Sequence, residues 1–145
     1  MHELGIAQSV VDSALAEADK VKAKRVTSIE VDVGELMQLD VKALEDALRM
    51  LMRGPRLEGA AIDVRVTEAS FSCRRCGAQW RMDEAKRQLE EVPDDLRIRE
   101  PDSVELPLHF LPYLYPSFVR CPSCGSSDSS ATEGEDIRVT RVVLD

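Results

Sequence analysis

Four cysteines arranged as two CxxC pairs are the feature that most constrains the fold of this chain. The first pair is Cys73 and Cys76, and the second is Cys121 and Cys124. A gap of two residues lets both sulfurs of a pair face one ion, and the glycine after each pair allows the positive φ that such a turn needs. Two such turns supply the four thiolates of a closed tetrahedral metal site. The spacing therefore predicts a metal-bound lobe held by all four cysteines.

Zinc is the metal that this spacing predicts, and iron is the alternative. Zinc uses closed tetrathiolate sites structurally, whereas a rubredoxin-like site holds iron with the same ligands. A closed site leaves no open position for a catalytic water, so the ion is expected to hold the lobe together. Folding of the lobe should then depend on the metal.

Composition places these cysteines in a reducing compartment. The chain has 145 residues, a formal net charge of −8 and 43% hydrophobic residues, which fits one domain or two small ones. The N-terminus lacks the basic and apolar blocks of a signal peptide, and no apolar run reaches the roughly 18 residues of a membrane span. We expect a cytoplasmic protein, whose cysteines bind metal more readily than they form disulfides. The acidic charge argues against nucleic-acid binding.

Hydrophobic periodicity outside the cysteine segment predicts helices and strands in alternation. Apolar residues recur at helical spacing from Glu3 to about Lys20, and Asp40 is a suitable N-cap for a second helix. Apolar and polar residues alternate at 26–33 and 62–66, which is the pattern of half-buried strands. A further strand is expected at the C-terminus, around residues 137–144.

This order of elements predicts an α+β fold, in which a small sheet carries two helices on one face. The C-terminal strand should return to that sheet, so the cysteine segment becomes an insertion. We predict one α/β domain from residues 1–68 and 136–145, and an inserted zinc-ribbon-like domain from residues 69–135.

The segment between the two cysteine pairs is long and has two parts. Residues 81–105 are heavily charged, whereas residues 106–118 are apolar, interrupted by prolines, and contain four of the six aromatic residues. We expect the apolar part to pack as a flap over the metal lobe. The alternative is a surface that binds a partner or presents His109. Residues 126–130 and 132–136 are expected to form a loop and a linker.

The N-terminus offers a second set of metal donors. His2 follows Met1 directly, so the α-amine, the His2 amide and the His2 ring are close together in the chain. Nitrogen donors in one plane favour Ni(II) or Cu(II) over zinc. In an arbitrary sequence, a terminal histidine is more often a frayed polar residue. The residues alone leave both interpretations open.

Taken together, these features resemble a known family. The stretches that carry the resemblance are Met1-His2-Glu3, Val33-Gly34-Glu35-Leu36, Leu57-Glu58-Gly59-Ala60 and the two cysteine pairs. They extend over most of the chain and are similar to the HypA/HybF family. Members of that family are nickel metallochaperones for the maturation of nickel–iron hydrogenase, and sometimes of urease.

The resemblance implies two metals, nickel at the N-terminus and zinc at the four cysteines. The implied nickel ligands are the Met1 amine and the amide and ring of His2, with the Glu3 backbone as a further candidate. His109 is our hypothesis for a fourth nickel ligand, because it lies in the long insertion and is the only histidine besides His2.

The implied function is binding and transfer of nickel, without catalysis. Partners implied by the resemblance are a GTP-hydrolysing nickel-insertion protein (HypB-like), the hydrogenase large subunit and, in some members, urease accessory proteins. The sequence contains no P-loop, dinucleotide-binding or nucleophile-elbow motif that would indicate an enzyme. The alternatives are a zinc-ribbon adaptor module and a rubredoxin-like iron protein.

Overall fold

The chain folds into two units that are each compact around their own core. A computed structural model describes residues 2–101, 103–105 and 115–145, and only the backbone of His2, Glu100 and residues 103–105. The first unit comprises residues 1–33, 39–65 and 137–145, and the second unit comprises residues 34–38 and 66–136. The predicted α+β class is confirmed, because each unit combines a three-stranded sheet with helices.

The described elements follow in chain order. They are α1 (His2–Lys20), β1 (Val26–Gly34), a 3-10 turn (Glu35–Met37), α2 (Val41–Leu51), β2 (Ala61–Thr67), β3 (Ser70–Cys73), β4 (Gln79–Arg81), α3 (Met82–Glu90), a second 3-10 turn (Asp94–Leu96), β5 (Ile98–Glu100), β6 (Ser103–Glu105), α4 (Tyr115–Phe118), β7 (Ser129–Glu133) and β8 (Ile137–Leu144). None of the described helices has both the length and the apolar character needed to cross a bilayer.

The first unit has β1 at the centre of a sheet with the order β2-β1-β8. Val31 and Val33 of β1 are buried, whereas Glu30 and Asp32 are half-buried, so one face of the strand is apolar. β8 pairs with β1 antiparallel, with Val139 opposite Val31. The apolar face is covered by buried residues of α1 and α2: Ala7, Val10, Val11, Ala14, Ala18, Leu44, Ala47 and Leu48. The predicted packing of two helices on one sheet face is confirmed.

The two helices of the first unit run in the same direction, as two contacts between them show. At their N-terminal ends, the Asp40 amide donates a hydrogen bond to the Glu3 carboxylate at 3.2 Å. At the opposite end, Arg56, which follows α2 in the chain, contacts the carboxylate of Asp19 in the last turn of α1 at 2.9 Å. Asp40 is the N-cap of α2, as predicted, since its carboxylate accepts a hydrogen bond from the Ala43 amide at 3.1 Å. The start of α1 therefore lies beside the start of α2.

The second unit is organised around β3, which has β4 on one side and β7 on the other. The Phe71 ring of β3 stacks on Tyr115 at a centroid distance of 4.3 Å and on Trp80 at 6.1 Å. Tyr115 is 2% exposed, and its burial raises the pKa of the phenol. This aromatic stack lies in the same buried cluster as Cys73 and Cys121, so one cysteine of each pair belongs to the hydrophobic core of the second unit.

The expected loop at residues 126–130 and linker at 132–136 need correction. Ser129 and Ser130 already belong to β7, where they lie opposite Cys73 and Ser72 of β3. The strand then continues to Glu133. Polar residues form a strand here because the pairing with β3 determines their conformation, whereas their own composition is typical of loops.

The apolar segment of the insertion is described only at its C-terminal end. Residues 106–114, which include His109, lie outside the described residues. Tyr115 and Val119 are buried in the core of the second unit, which agrees with packing rather than exposure of this end. The interpretation of residues 106–114 as a flap stays a prediction.

The second unit also includes residues 34–38, which lie within the range predicted for the first domain. The amides of Gly34 and Leu36 donate hydrogen bonds to the carbonyls of Asp136 and Gly134 at 2.7 and 2.9 Å. The carboxylate of Glu35 accepts a hydrogen bond from the Ala69 amide at 3.0 Å. The identification of the two units as a nickel-binding and a zinc-binding domain stays a prediction.

Glycine is required where these two backbone segments meet. Gly134 has φ of 75°, which most other residues avoid. At Gly34 the obstacle is space, since an added Cβ would lie 2.6 Å from the Asp136 carbonyl oxygen. Moving either backbone segment would break these hydrogen bonds, because the two segments are bonded to each other.

Replacing Gly34 with alanine should therefore destabilise the second unit. We expect Gly34→Ala to lower the free energy of unfolding by about 1–3 kcal/mol, as an added methyl group does in a closely packed site. Thermal unfolding monitored by Trp80 fluorescence measures the change. Gly5→Ala is the matched control: outside its own helix backbone and adjacent residues, no described atom lies within 4 Å of the added Cβ in α1, so the Trp80 transition should stay unchanged. An unchanged melting temperature for Gly34→Ala would contradict this account.

Candidate functional site

The four cysteines converge on one point in the second unit. Their Sγ atoms all lie within 4.8 Å of one another. Two of these distances cross between the pairs, at 3.6 Å from Cys73 to Cys124 and at 3.5 Å from Cys76 to Cys121. A tetrahedral zinc site with Zn–S bonds of about 2.3 Å has sulfurs about 3.8 Å apart. The spacing of the sulfurs therefore fits a zinc ion at their centre.

Each pair of cysteines is shaped by the same backbone turn. Cys73 ends β3 and accepts hydrogen bonds from the Cys76 amide at its sulfur (3.5 Å) and from the Gly77 amide at its carbonyl (3.0 Å). Cys121 repeats both contacts with Cys124 and Gly125, at 3.5 and 2.9 Å. Both glycines have positive φ, 77° and 74° respectively, as the sequence predicts.

The amides of these turns favour thiolates. Burial alone raises the pKa of Cys121, but the Cys124 and Ser123 amides outweigh it and bring that pKa down to about 6. For Cys76 the Ala78 amide is the largest single influence and acts in the same direction. The sulfur of Cys121, burial and the two other cysteine sulfurs together outweigh it and raise the pKa of Cys76 to about 12. Without a cation, neighbouring thiolates oppose one another, and a dication at the centre would stabilise all four together.

The donor set matches a resident zinc ion. Four thiolates form a closed shell for a borderline-soft metal, and no described carboxylate or histidine joins the cluster. A bound zinc ion would cross-link the two turns, because each turn supplies two of its ligands. Its four coordination positions would all be filled by cysteine, so none would remain for a substrate. The chain's own residues supply the remainder of the site: the amides that stabilise the sulfurs and the aromatic core beneath them.

The predicted nickel residues are described only in part. Met1, the side chain of His2, and His109 lie outside the described residues, so the structure does not show whether they come together. The described part comprises the backbone of His2, where α1 begins, and all of Glu3. The first amides of a helix have no intrahelical acceptor, so the His2 amide is not needed by the α1 ladder.

Glu3 is held in place by backbone amides. Its carboxylate accepts a hydrogen bond from the Asp40 amide. Partial burial raises the pKa of Glu3, but hydrogen bonds from the amides of Glu3 and Asp40, together with a hydrogen bond from the N-terminus and its positive charge, outweigh burial and lower the pKa. Sequence reasoning did not find this contact, because the two residues are far apart in the chain and neither one's local pattern points to the other.

Comparison with known proteins identifies the family. A family model described as "Hydrogenase/urease nickel incorporation, metallochaperone, hypA" matches residues 1–144. The chain belongs to the HypA family. The hydrogenase maturation factors HypA of Pyrococcus horikoshii and Pyrococcus abyssi are 34% and 35% identical to it over 145 residues, which is 100% of this chain and 96% of each relative.

Solved HypA structures share the fold at low sequence identity. The solution structure of the nickel metallochaperone HypA from Helicobacter pylori matches with a TM-score of 0.57 and 15% identity, covering 98% of this chain and 96% of that one. A second solution structure of a HypA protein matches with a TM-score of 0.57 and 18% identity, covering 100% and 97%. At these identities the two structures establish the fold.

The family and the geometry together confirm the predicted metals. HypA proteins are described as nickel metallochaperones and hydrogenase maturation factors, so nickel is the cargo of the family. The four-cysteine cluster fits zinc. As a maturation factor, a HypA protein works alongside other proteins of the same maturation process.

Loss of one thiolate should release zinc and unfold the second unit. In Cys121→Ser we expect zinc content to fall from about one ion per chain to almost none, because a closed structural site needs all four ligands. Metal analysis measures the zinc, and Trp80 fluorescence reports on the packing of the second unit. Ser123→Ala is the matched control, because Ser123 contacts the Cys121 sulfur through its backbone amide, which the substitution keeps. This variant should retain both its zinc and its Trp80 fluorescence. A metal-free variant with a folded second unit would show that zinc is dispensable.

Proposed function

We propose that this HypA-family protein binds Ni(II) at its N-terminus and delivers it for the maturation of nickel–iron hydrogenase. The observation that carries the proposal is the start of α1 at His2, which leaves first-turn amides without intrahelical acceptors in a chain of a nickel-chaperone family. An unprotonated amine, a deprotonated amide and an imidazole form the nitrogen set that Ni(II) prefers.

The proposed ligands are the ones that the resemblance implies. They are the Met1 amine, the His2 amide and the His2 ring, with the Glu3 backbone as a further candidate and His109 as the hypothesised fourth ligand. All of these donors bind after losing a proton or as the neutral base, so nickel affinity should rise with pH. A site of terminal nitrogen donors gives up its metal by ligand exchange, as a carrier requires.

Zinc has the complementary role in the proposal. We assign it to Cys73, Cys76, Cys121 and Cys124, where it stabilises the second unit and stays bound while nickel is transferred. Nickel is thus treated as cargo and zinc as part of the protein. The proposed role needs no bond chemistry, and it makes the protein a carrier instead of an enzyme.

The proposed partners follow from the cargo. Delivery requires a GTP-hydrolysing nickel-insertion protein (HypB-like) and the hydrogenase large subunit as the destination, with urease accessory proteins as a second route. We place this exchange in the cytoplasm, in keeping with four cysteines that are not joined as disulfides.

Blocking the α-amine tests the terminal site directly. Enzymatic acetylation of Met1 removes one donor together with the positive charge of the terminus, and it leaves every side chain unchanged. We expect nickel affinity, measured by calorimetry, to fall by at least about 100-fold, since loss of one chelating donor from a small set is severe. Zinc content should stay the same. Unchanged nickel affinity in the acetylated protein would place the nickel site elsewhere.

Substitution of the two histidines separates their roles. His2→Ala should abolish tight nickel binding and leave zinc and the melting temperature unchanged, because His2 lies at the free start of α1. His109→Ala should weaken nickel binding less and alter the nickel absorption spectrum, as loss of one planar ligand does. A spectrum and an affinity that His109→Ala leaves untouched would remove His109 from the site, while the terminal ligands would stand.

A further inference from the structure

The chain reaches the two cysteine pairs in different ways. Cys73 is the last residue of β3, which is paired with β4 on one side and with β7 on the other. Backbone hydrogen bonds of a sheet therefore fix the chain as it arrives at the first pair. Cys121 instead comes after the short helix α4, and Val119 and Arg120 lie between them, outside the described helices and strands. Pairing among the described strands thus does not position the chain before the second pair.

A side chain of α3 bonds the backbone there, as a neighbouring strand would. The Arg120 amide donates a hydrogen bond to Gln88 Oε1 at 2.7 Å, and Gln88 Nε2 donates one to the Arg120 carbonyl at 2.8 Å. A carboxamide carries the same donor and acceptor as a peptide group, so these two bonds reproduce the exchange between two residues of antiparallel strands. Arg120 is thereby bound through both of its backbone polar groups, one residue before Cys121.

The carboxamide of Gln88 is itself held in orientation. Its Nε2 atom also donates to Glu84 Oε1, one turn earlier in α3, at 3.2 Å. The Glu84 carboxylate in turn pairs with Arg87 at 2.7 Å. Both hydrogens of Nε2 are then used, one on Glu84 and one on Arg120, and this determines which end of the carboxamide faces the Arg120 carbonyl.

The turn of the second pair is attached to the unit before and after the cysteines. After the turn, the chain enters β7, which pairs with β3. Before the turn, Val119 is buried in the core, and the backbone bonds of Arg120 go to Gln88. Loss of the Gln88 bonds would therefore loosen the chain before the turn while β7 stays paired. The position of the Cys121 sulfur would then be less well defined.

We infer that Gln88 is a positioning residue for zinc, whose carboxamide holds the Arg120 backbone and thereby aligns the second cysteine pair with the first. Gln88 is not one of the four ligands; it acts on the chain next to one of them. The inference rests on the assignment of zinc to the four cysteines in the proposed function. The two hydrogen bonds between Gln88 and Arg120 do not depend on that assignment.

Amide hydrogen exchange on the zinc-loaded protein tests the bonds. In Gln88→Ala the Arg120 amide should lose protection and the Cys121 amide should lose part of it, while the Cys73 amide, bonded to a carbonyl of its own turn, stays protected. A general loss of stability would instead speed exchange at both pairs. Gln79→Ala is the matched control, because it removes the same side chain from an exposed position in β4, and it should leave all three amides protected. Unchanged protection of Arg120 in Gln88→Ala would overturn the inference.

The rate of zinc release tests the effect on the metal. With an excess of a colorimetric chelator, Gln88→Ala should release zinc at least about tenfold faster than the unsubstituted protein, as loss of a group that orients a metal ligand does. Zinc content before the chelator is added should stay at about one ion per chain, because all four ligands are kept. Alanine favours helix more than glutamine does, so the substitution does not weaken α3 itself. Equal release rates in Gln88→Ala and Gln79→Ala would overturn the positioning role.

Gln88→Met separates hydrogen bonding from packing. Methionine has nearly the length of glutamine and favours helix, but it cannot make the two bonds to Arg120. Zinc release should be as fast as in Gln88→Ala. With cobalt(II) in place of zinc, the visible absorption bands should shift relative to those of the unsubstituted protein, because the ligand geometry changes. Slow zinc release and unshifted cobalt bands in Gln88→Met would show that the side chain acts by packing alone, and the positioning role would be wrong.

Two outcomes separate this inference from the proposed function. If Cys121→Ser keeps all of its zinc, the assignment of zinc to the four cysteines fails, and the zinc role of Gln88 fails with it. If Cys121→Ser loses its zinc while Gln88→Met behaves like the unsubstituted protein, only the positioning role of Gln88 fails.

Discussion

The convergence of four sulfurs is the constraint on which the second unit depends. Cys73 and Cys124 are 51 positions apart in the chain, and their sulfurs lie 3.6 Å apart. Amide hydrogen bonds favour thiolates at this point, and neighbouring thiolates repel one another unless a cation lies between them. The metal therefore supplies the positive charge that offsets this repulsion, which packing alone does not provide. Phe71, Trp80 and Tyr115 form an aromatic core in the same unit. Similar lobes that lack enough apolar surface fold only with their metal.

The first unit is stabilised in the ordinary way and needs no metal for its core. The valines and Ile29 of β1 are covered by the small apolar residues of α1 and by the leucines of α2. Burial of these side chains brings the beginning of α1 close to the N-cap of α2. The donors proposed for nickel lie at this beginning of α1. The proposed function thus gives the structural metal and the cargo metal to different units, with different chemistry.

Local patterns in the sequence predicted those features that local physics determines. The alternation of Ile29, Val31 and Val33 indicated β1, and Asp40 was correctly placed at the start of α2, because periodicity and capping depend on neighbouring residues. The spacing within each cysteine pair is also local, and it predicted the metal cluster although the two pairs are far apart in the chain. Features that depend on distant contacts were missed. Ser129 and Ser130 are a strand only because β3 pairs with them, and the Glu3–Asp40 contact joins residues whose proximity comes from helix packing. Sequence alone also gave no reason to separate residues 34–38 from β1.

The central claim is that nickel and zinc occupy chemically different sites of one chain. X-ray absorption at the nickel edge, on untagged zinc-loaded protein with one equivalent of nickel, tests it most directly. The account predicts a nickel shell of nitrogen ligands in planar geometry, with no sulfur scatterer, while the zinc edge retains four sulfurs. Sulfur in the nickel shell, with zinc displaced, would place nickel at the cysteines and contradict the account.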